Sequence, residues 1–137
     1  MAISENKELV RTFFERAFVQ HDLDSAAELI SDDYCLHDPA RPDFRGGIDA
    51  FKEVQGVYLR AIRGHAATID DQFAEGDRVV TRWTASGCQT DDLPGIPNKG
   101  GCFKIGGITI SRVLDGKIVE EWQDWDTLGL ARQLGSS

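Results

Sequence analysis

The residues best suited to acid/base chemistry lie near the C-terminus, in a segment with the alternating pattern of a β-strand. Alternation along residues 117–126 separates two faces: Glu120, Trp122, Asp124 and Asp126 on one, and Glu121, Gln123 and Trp125 on the other. A carboxylate beside an aromatic wall can take a proton from carbon next to a carbonyl group, provided that burial raises its pKa toward the working pH. We therefore expect Asp124 or Asp126 to line a pocket with Trp122 and to act as the base. The alternatives are that Asp126 caps a following helix and that Asp124 is a solvated strand residue.

His37 is the histidine most suited to assist such a base. It would donate a hydrogen bond to an enolate oxygen or to the base itself. Alternatively, it is a structural histidine bonded to a neighbouring strand or to Asp38. Because His37 and Asp38 are adjacent, their side chains point to opposite faces of a strand and cannot easily share a metal ion, so we expect no metal site. His21 and His65 fall at predicted helix ends, where side chains are usually exposed.

Five further aromatic residues are candidates for binding a ligand. Trp83 and Phe103 lie in predicted strands, where they either line a pocket or fill a core. Phe14 and Phe18 belong to an apolar helical stripe whose end near a pocket mouth would touch a ligand. Tyr58, on a long predicted helix, either donates a hydroxyl hydrogen bond into the pocket or is exposed to solvent.

The composition is that of a globular protein and disfavours several classes of partner. With 137 residues the chain is long enough for one sizeable core, and we expect a single domain over residues 1–137. The formal net charge of −8 and the scattered lysines and arginines argue against nucleic acid. No apolar run approaches the roughly 18 residues of a membrane helix, and the first residues lack the pattern of a secretory signal. We therefore expect a cytoplasmic protein that binds a small lipophilic ligand and no membrane.

The three cysteines are widely spaced and form no CxxC pair, which disfavours a structural zinc site. Cys35 and Cys88 lie in strand-like stretches. We expect them to be buried free thiols that behave as small apolar groups.

Hydrophobic periodicity predicts helices first and strands afterwards. Helical spacing extends over residues 4–20, 24–31 and 48–63, with a strand pattern at 34–38. After Gly64 the period changes to two and predicts strands at 68–73, 78–89, 102–114 and 117–126, followed by a short helix at 127–134. This order is typical of an α+β fold in which a curved antiparallel sheet wraps around the N-terminal helices and leaves an open apolar pocket.

A series of short segments, in order along nearly the whole chain, resembles the SnoaL-like polyketide cyclases. They are HDP at 37–39, AEGDRVV at 74–80, RWT at 82–84, GIP at 95–97, GI at 107–108, DGKI at 115–118, EW at 121–122 and DTLGL at 126–130. The resemblance implies the cone-shaped fold of the nuclear-transport-factor-like proteins. It also implies a homodimer, no metal or other cofactor, and a lipophilic pocket between the helices and the curved sheet.

The same resemblance implies intramolecular aldol closure of a polyketide ester, with an aspartate on the final strand as acid/base; Asp126 occupies the more familiar position. We therefore interpret the chain as a cofactor-free acid/base enzyme for a small lipophilic carbonyl compound, with ester cyclase activity as the first hypothesis. The fold also hosts non-catalytic binding modules, isomerases and epoxide hydrolases, and these are the alternatives. The strand at 102–114 carries Thr109 and Ser111 where a polyketide pocket would be expected to have bulkier or histidine side chains.

Overall fold

The computed structural model describes residues 2–42, 44 and 46–135. In chain order these residues form α1 (Ala2–Phe14), a π-helical turn (Glu15–Val19), α2 (Leu23–Ala27), β1 (Ile30–His37), α3 (Ile48–Ala61), β2 (Ile62–Glu75), β3 (Arg78–Gln89), β4 (Cys102–Leu114), β5 (Lys117–Trp125) and α4 (Thr127–Gln133). None of the helices in this described part of the chain has the length and apolar character needed to cross a bilayer.

The five strands form one curved sheet in the order β1-β5-β4-β3-β2. The pairs β2–β3, β3–β4 and β4–β5 are antiparallel. The edge strand β1 runs parallel to β5. A parallel pair is possible here because the two strands are far apart in the chain and are not joined by a hairpin turn. The structure therefore confirms the α+β class and the curved sheet, with one parallel pair at its edge.

The helices pack on one face of the sheet and bury the larger of two apolar clusters. Helix α1 contacts β2 and β3, while α3 contacts β1 and β2. At the centre of this cluster the ring of Phe51 lies 5.5 Å from Phe13 and 5.9 Å from Tyr34. Burying a large apolar side chain stabilises a fold by roughly 1.5–3 kcal/mol. The short helices are thus held mainly by their packing against the sheet.

A second cluster closes the other end of the structure around α4. Its buried members are Ala61, Ile62, Leu93, Phe103, Ile105, Leu130 and Leu134. The carboxylate of Asp126 accepts a 2.8 Å hydrogen bond from the backbone N–H of Gly129 and so caps the N-terminus of α4. This contact is the one that the helix-cap alternative for Asp126 predicts.

The predicted element boundaries are correct for β3 and β4 and differ most at β1 and β2. Strand β1 begins at Ile30 and takes the end of the helix predicted at 24–31. Strand β2 begins six residues earlier than predicted. Its pairing with β3 skips from Arg63 to Ala66, and Gly64 adopts a φ of 64° there. The glycine expected to end the preceding helix instead lies in a bulge that lets the strand continue.

The cysteines also differ from the prediction. Cys88 of β3 lies directly opposite Cys102 of β4, and the two form a disulfide, so the expectation of a free thiol at Cys88 is wrong. Cys35 is free and half-buried. Residue alternation assigns a face to each cysteine but does not show which residue lies across the strand.

Gly107 of β4 allows the indole of Trp83 to approach the backbone of this strand closely. A Cβ at this position would lie 2.8 Å from Cε2 of Trp83 and 2.8 Å from Cβ of Trp125. We expect Gly107→Ala to lower the free energy of unfolding by about 1–3 kcal/mol, because the crowded indole must move. Urea denaturation measures this. The control is Gly106→Ala, whose Cβ would lie 3.4 Å from its nearest neighbour, and its stability should be unchanged or slightly raised. Equal effects of the two substitutions would contradict the packing argument.

Candidate active site

A partly open apolar cavity of about 110 Å³ lies between the helices and the inner face of the sheet. Most of its wall is aromatic or aliphatic. The structure brings five of the residues predicted to bind a ligand to this wall: Phe14, Phe18, Tyr58, Trp83 and Phe103. They come from α1, the π-helical turn, α3, β3 and β4. Their common position is a structural fact, whereas ligand binding by them stays a prediction.

The most unusual group in this wall is the carboxylate of Glu121, whose residue is only 5% exposed. The hydroxyl of Tyr34 donates a 2.7 Å hydrogen bond to Oε1, and the hydroxyl of Ser111 donates a 2.5 Å hydrogen bond to Oε2. Burial raises the pKa of Glu121, while the two hydrogen bonds oppose this rise less strongly. Burial and then the neighbouring Glu121 raise the pKa of Tyr34 well above its ordinary value.

A β-bulge places Glu121 in the cavity. Ile118 pairs with Val113, and Glu120 pairs with Arg112, so Val119 is an extra residue on β5. Ile118 is fully buried in the core, and simple alternation from it would turn Glu120 inward. The extra residue reverses this alternation, so that Glu121 faces the cavity opposite Ser111.

A second polar cluster lies around the buried carboxylate of Asp38. Its Oδ2 accepts hydrogen bonds from Nε2 of Gln123 at 3.1 Å and from Nε1 of Trp125 at 3.0 Å. Its Oδ1 accepts the backbone N–H of Ala40 at 2.8 Å. Arg41 Nη1 lies 3.7 Å from Oδ2, close enough for an ion pair. Gln123, Trp125 and Arg41 all border the cavity.

A chain of hydrogen bonds crosses the sheet from this cluster. Nε1 of Trp83 donates to Oγ1 of Thr109 at 3.0 Å, and Thr109 donates to Oε1 of Gln123 at 3.1 Å. Gln123 then donates to Asp38. Thr109 and Ser111, which the sequence analysis marked as unusually small for a pocket, therefore hold polar side chains of the cavity wall in fixed orientations.

The remaining predicted catalytic and binding residues lie outside this cavity. Asp124 is exposed on the outer face of β5, and Asp126 caps α4. On the same outer face, His37 stacks on Trp122 with ring centres 5.4 Å apart, and its Nε2 lies 2.6 Å from Oε2 of Glu120. The face of β5 expected to line the apolar cavity is thus the opposite of the observed one. The described wall of this cavity does not include Asp124, Asp126, His37 or Trp122. Their functional roles stay predictions.

The structure adds several cavity residues that sequence reasoning missed. They are Tyr34, Arg41, His65, Ser111, Glu121, Gln123 and Trp125. His65 was expected to be exposed, but it lies in β2, half-buried, with its ring 5.2 Å from that of His21. Burial lowers the pKa of His65, and the neighbouring His21 lowers it further. The HDP segment at 37–39 was the sequence signal that could have pointed to Asp38. The sequence analysis instead assigned a functional role to His37 of that segment.

No group of three or more histidine, cysteine, aspartate or glutamate side chains within residues 2–42, 44 and 46–135 is arranged to hold a metal ion.

Comparison of the sequence and the structure with known proteins identifies the family of this chain. The sequence model of the SnoaL-like polyketide cyclase family matches residues 8–134. TsrD from Streptomyces laurentii is 30% identical, with 98% of this chain and 97% of TsrD covered and a TM-score of 0.86. IdmH from Streptomyces antibioticus, a proposed polyketide cyclase, is 28% identical, with 95% and 98% covered and a TM-score of 0.80. No curated protein matches the sequence significantly.

A third structure supports the fold alone. AclR from Streptomyces galilaeus, a proposed hydroxylase, is 21% identical, with 98% of each chain covered and a TM-score of 0.85. The family match includes all five strands and the residues of both polar clusters. The chain therefore belongs to the SnoaL-like polyketide cyclase family.

Proposed function

We propose that this protein is a cofactor-free acid/base enzyme for a small lipophilic carbonyl compound, with Glu121 as the general base. The observation that carries the proposal is a buried carboxylate with a raised pKa in the wall of a mostly apolar cavity. A carboxylate whose pKa is raised toward neutral pH is a stronger base than an ordinary carboxylate. Asp124 and Asp126 do not have this environment, since both are exposed.

The hydrogen-bond partners also favour Glu121 over Asp38 as the group that exchanges a proton. Tyr34 and Ser111 bond Glu121 through hydroxyls, which can either donate or accept and therefore suit both the ionised and the protonated acid. The partners of Asp38 are N–H groups, which only donate. Asp38 is thus suited to hold Gln123 and Trp125 in place.

Intramolecular aldol closure of a polyketide ester is the reaction we propose, and family membership supports it. Glu121 would take a proton from carbon flanked by two carbonyl groups, which leaves an enolate. The enolate carbon would then form a bond to a second carbonyl carbon of the same molecule. The resulting alkoxide would take back the proton from Glu121, so the reaction needs no external oxidant, reductant or cofactor. Each oxygen of Glu121 bonds only one hydroxyl and keeps a lone pair for the substrate.

Proton abstraction can be tested with the bicyclic ketone 2-tetralone as a probe. NMR would follow exchange of its α-protons with deuterium from D₂O. We expect the wild-type protein to accelerate exchange and Glu121→Gln to reduce that acceleration by about a hundredfold or more, the usual scale of an acid/base contribution. Asp124→Asn, on the same strand but exposed, is the control and should retain the rate. Loss of exchange in Asp124→Asn with retention in Glu121→Gln would overturn the assignment. No acceleration by wild-type protein would favour a non-catalytic binding module.

Stability should depend on pH in a way that identifies Glu121. Its pKa in the folded protein is raised above the ordinary value of 4.5, so its stabilising contribution is full below that value and is lost as pH rises through the folded pKa. We expect the unfolding free energy of wild-type protein, relative to Glu121→Gln, to decrease from pH 4 to pH 8. Denaturant titrations at several pH values measure this difference. A difference that is constant with pH would contradict a raised pKa.

Glu120 is the matched control for this measurement. Its hydrogen bond with His37 is the main cause that lowers its pKa, and Arg112 adds to this. Its stabilising contribution is therefore present above the ordinary value and is lost as pH falls. The difference between wild type and Glu120→Gln should have the opposite slope and be smaller, because this cluster is exposed to solvent.

We also propose that the protein is a homodimer that associates through the outer face of the sheet. Val80, Ile110, Trp122 and His37 form a continuous row across β3, β4, β5 and β1 on this face. Next to this row Ile108 is 46% exposed. A row of large side chains across four strands is more apolar than a solvated sheet face usually is, and a second copy would cover it.

Light scattering at micromolar concentration tests the dimer. We expect a mass of about twice 15.2 kDa for the wild-type protein. Ile108→Lys should reduce the mass to that of the monomer, because it replaces an exposed apolar side chain of this face with a charged one. Leu128→Lys, at a 59% exposed position on α4, should remain dimeric. A wild-type mass of 15.2 kDa would contradict the proposal.

A further inference from the structure

A guanidinium group borders the cavity with part of its hydrogen-bonding capacity unused. Arg41 lies in the loop that follows β1, and its side chain is only 16% exposed. Its guanidinium stacks over the ring of Tyr58, 4.5 Å from the ring centre. Tyr58 in turn packs edge-on against Trp125, with ring centres 6.3 Å apart. Two aromatic side chains of the cavity wall therefore fix the position of this cation.

Nη1 of Arg41 is buried and has no hydrogen-bond partner among the described residues. The nearest acceptor, Oδ2 of Asp38, lies 3.7 Å away, beyond hydrogen-bond distance. That oxygen already accepts hydrogen bonds from Gln123 and Trp125. A buried donor without an acceptor costs more free energy than a hydrogen bond usually returns, and a charged donor costs most. An acceptor from outside the chain would remove this cost.

We propose that Arg41 binds an oxygen of the ligand that carries negative charge, either a permanent carboxylate or an enolate that forms during reaction. This inference names the substrate class for the proposed function and rests on that function only in treating the cavity as the ligand site. Among the residues described at the cavity wall, Glu121 would offer an anionic oxygen no attraction, whereas Arg41 carries a permanent positive charge. A ligand with its acidic carbon near Glu121 and its oxygen at Arg41 would use both charges.

Guanidinium is suited to this role in a protein with a net charge of −8, whose overall field repels anions. A planar guanidinium is weakly hydrated, stacks on aromatic rings and keeps its charge at every accessible pH. An ammonium group at the same place would lose the stacking on Tyr58 and the flat array of donors. Arg41→Lys should therefore restore only part of the binding that Arg41→Gln removes.

The binding experiment compares 2-naphthoate with 2-naphthamide, two probes of nearly the same shape that differ in charge. Calorimetry at fixed ionic strength would give both affinities for wild-type protein, Arg41→Gln and Arg41→Lys. We expect wild-type protein to bind naphthoate at least tenfold more tightly than naphthamide. Arg41→Gln should abolish this preference and leave naphthamide binding unchanged. Arg11→Gln removes the same charge from an exposed position on α1 and should preserve the preference.

The second arm measures charge that develops only during reaction. In the 2-tetralone exchange assay, Arg41→Gln should lower the exchange rate at saturation at least tenfold without weakening tetralone binding, while Arg11→Gln keeps both. A naphthoate preference identifies a permanent anion, and a rate effect alone identifies an enolate. The inference is overturned when Arg41→Gln changes neither measurement, or when it changes them no more than Arg11→Gln does. The proposed base is judged separately by Glu121→Gln, and melting temperatures confirm that each variant is folded.

Discussion

The cavity's polar chemistry depends on one extra residue in β5. Val119 has no partner opposite it on β4, and its insertion reverses the alternation of the strand between Ile118 and Glu121. Without it, the core position of Ile118 would send Glu120, Trp122 and Asp124 inward. With it, Glu121, Gln123 and Trp125 face the cavity instead. A bulge is a local change, yet it decides which carboxylate is buried, which indole borders the ligand site and which residues remain outside.

The two buried carboxylates show how an apolar cavity tolerates charge and why their chemistry differs. An unpaired carboxylate in this environment would cost several kcal/mol, so each one is held by specific donors. Hydroxyls hold Glu121 and adapt when it gains a proton. N–H groups, which can only donate, hold Asp38. Donor type therefore separates the carboxylate that we propose to exchange protons from the one that positions its neighbours, although both are buried beside the same sheet.

The sequence predicted the fold well because its signals are local or span many residues at once. The alternating patterns over residues 78–89, 102–114 and 117–126 predicted both ends of β3 and β4 and the start of β5 to the residue. The apolar wall was also predictable, since large aromatic side chains in amphipathic elements must face a core or a pocket. The face of β5 that lines the cavity could not be predicted, because a bulge at Val119 leaves no signature in composition or spacing. Nor can alternation show that Cys88 lies opposite Cys102, which is a property of strand register.

The bulge also links the cavity to the outer surface of the sheet. Reversing the alternation turns Glu121 inward and, by the same geometry, turns Trp122 outward, where it stacks on His37 and completes the row with Val80 and Ile110. Asp124, which the sequence singled out for catalysis, therefore lies on the face of β5 opposite the one that carries Glu121, Gln123 and Trp125 to the cavity. A β5 that kept Ile118 buried without the bulge would exchange the two sets, so that Glu120 would replace Glu121 on the inner face and Trp122 would leave the outer row. The inner chemistry and the outer surface of this sheet are thus set by one feature of its backbone.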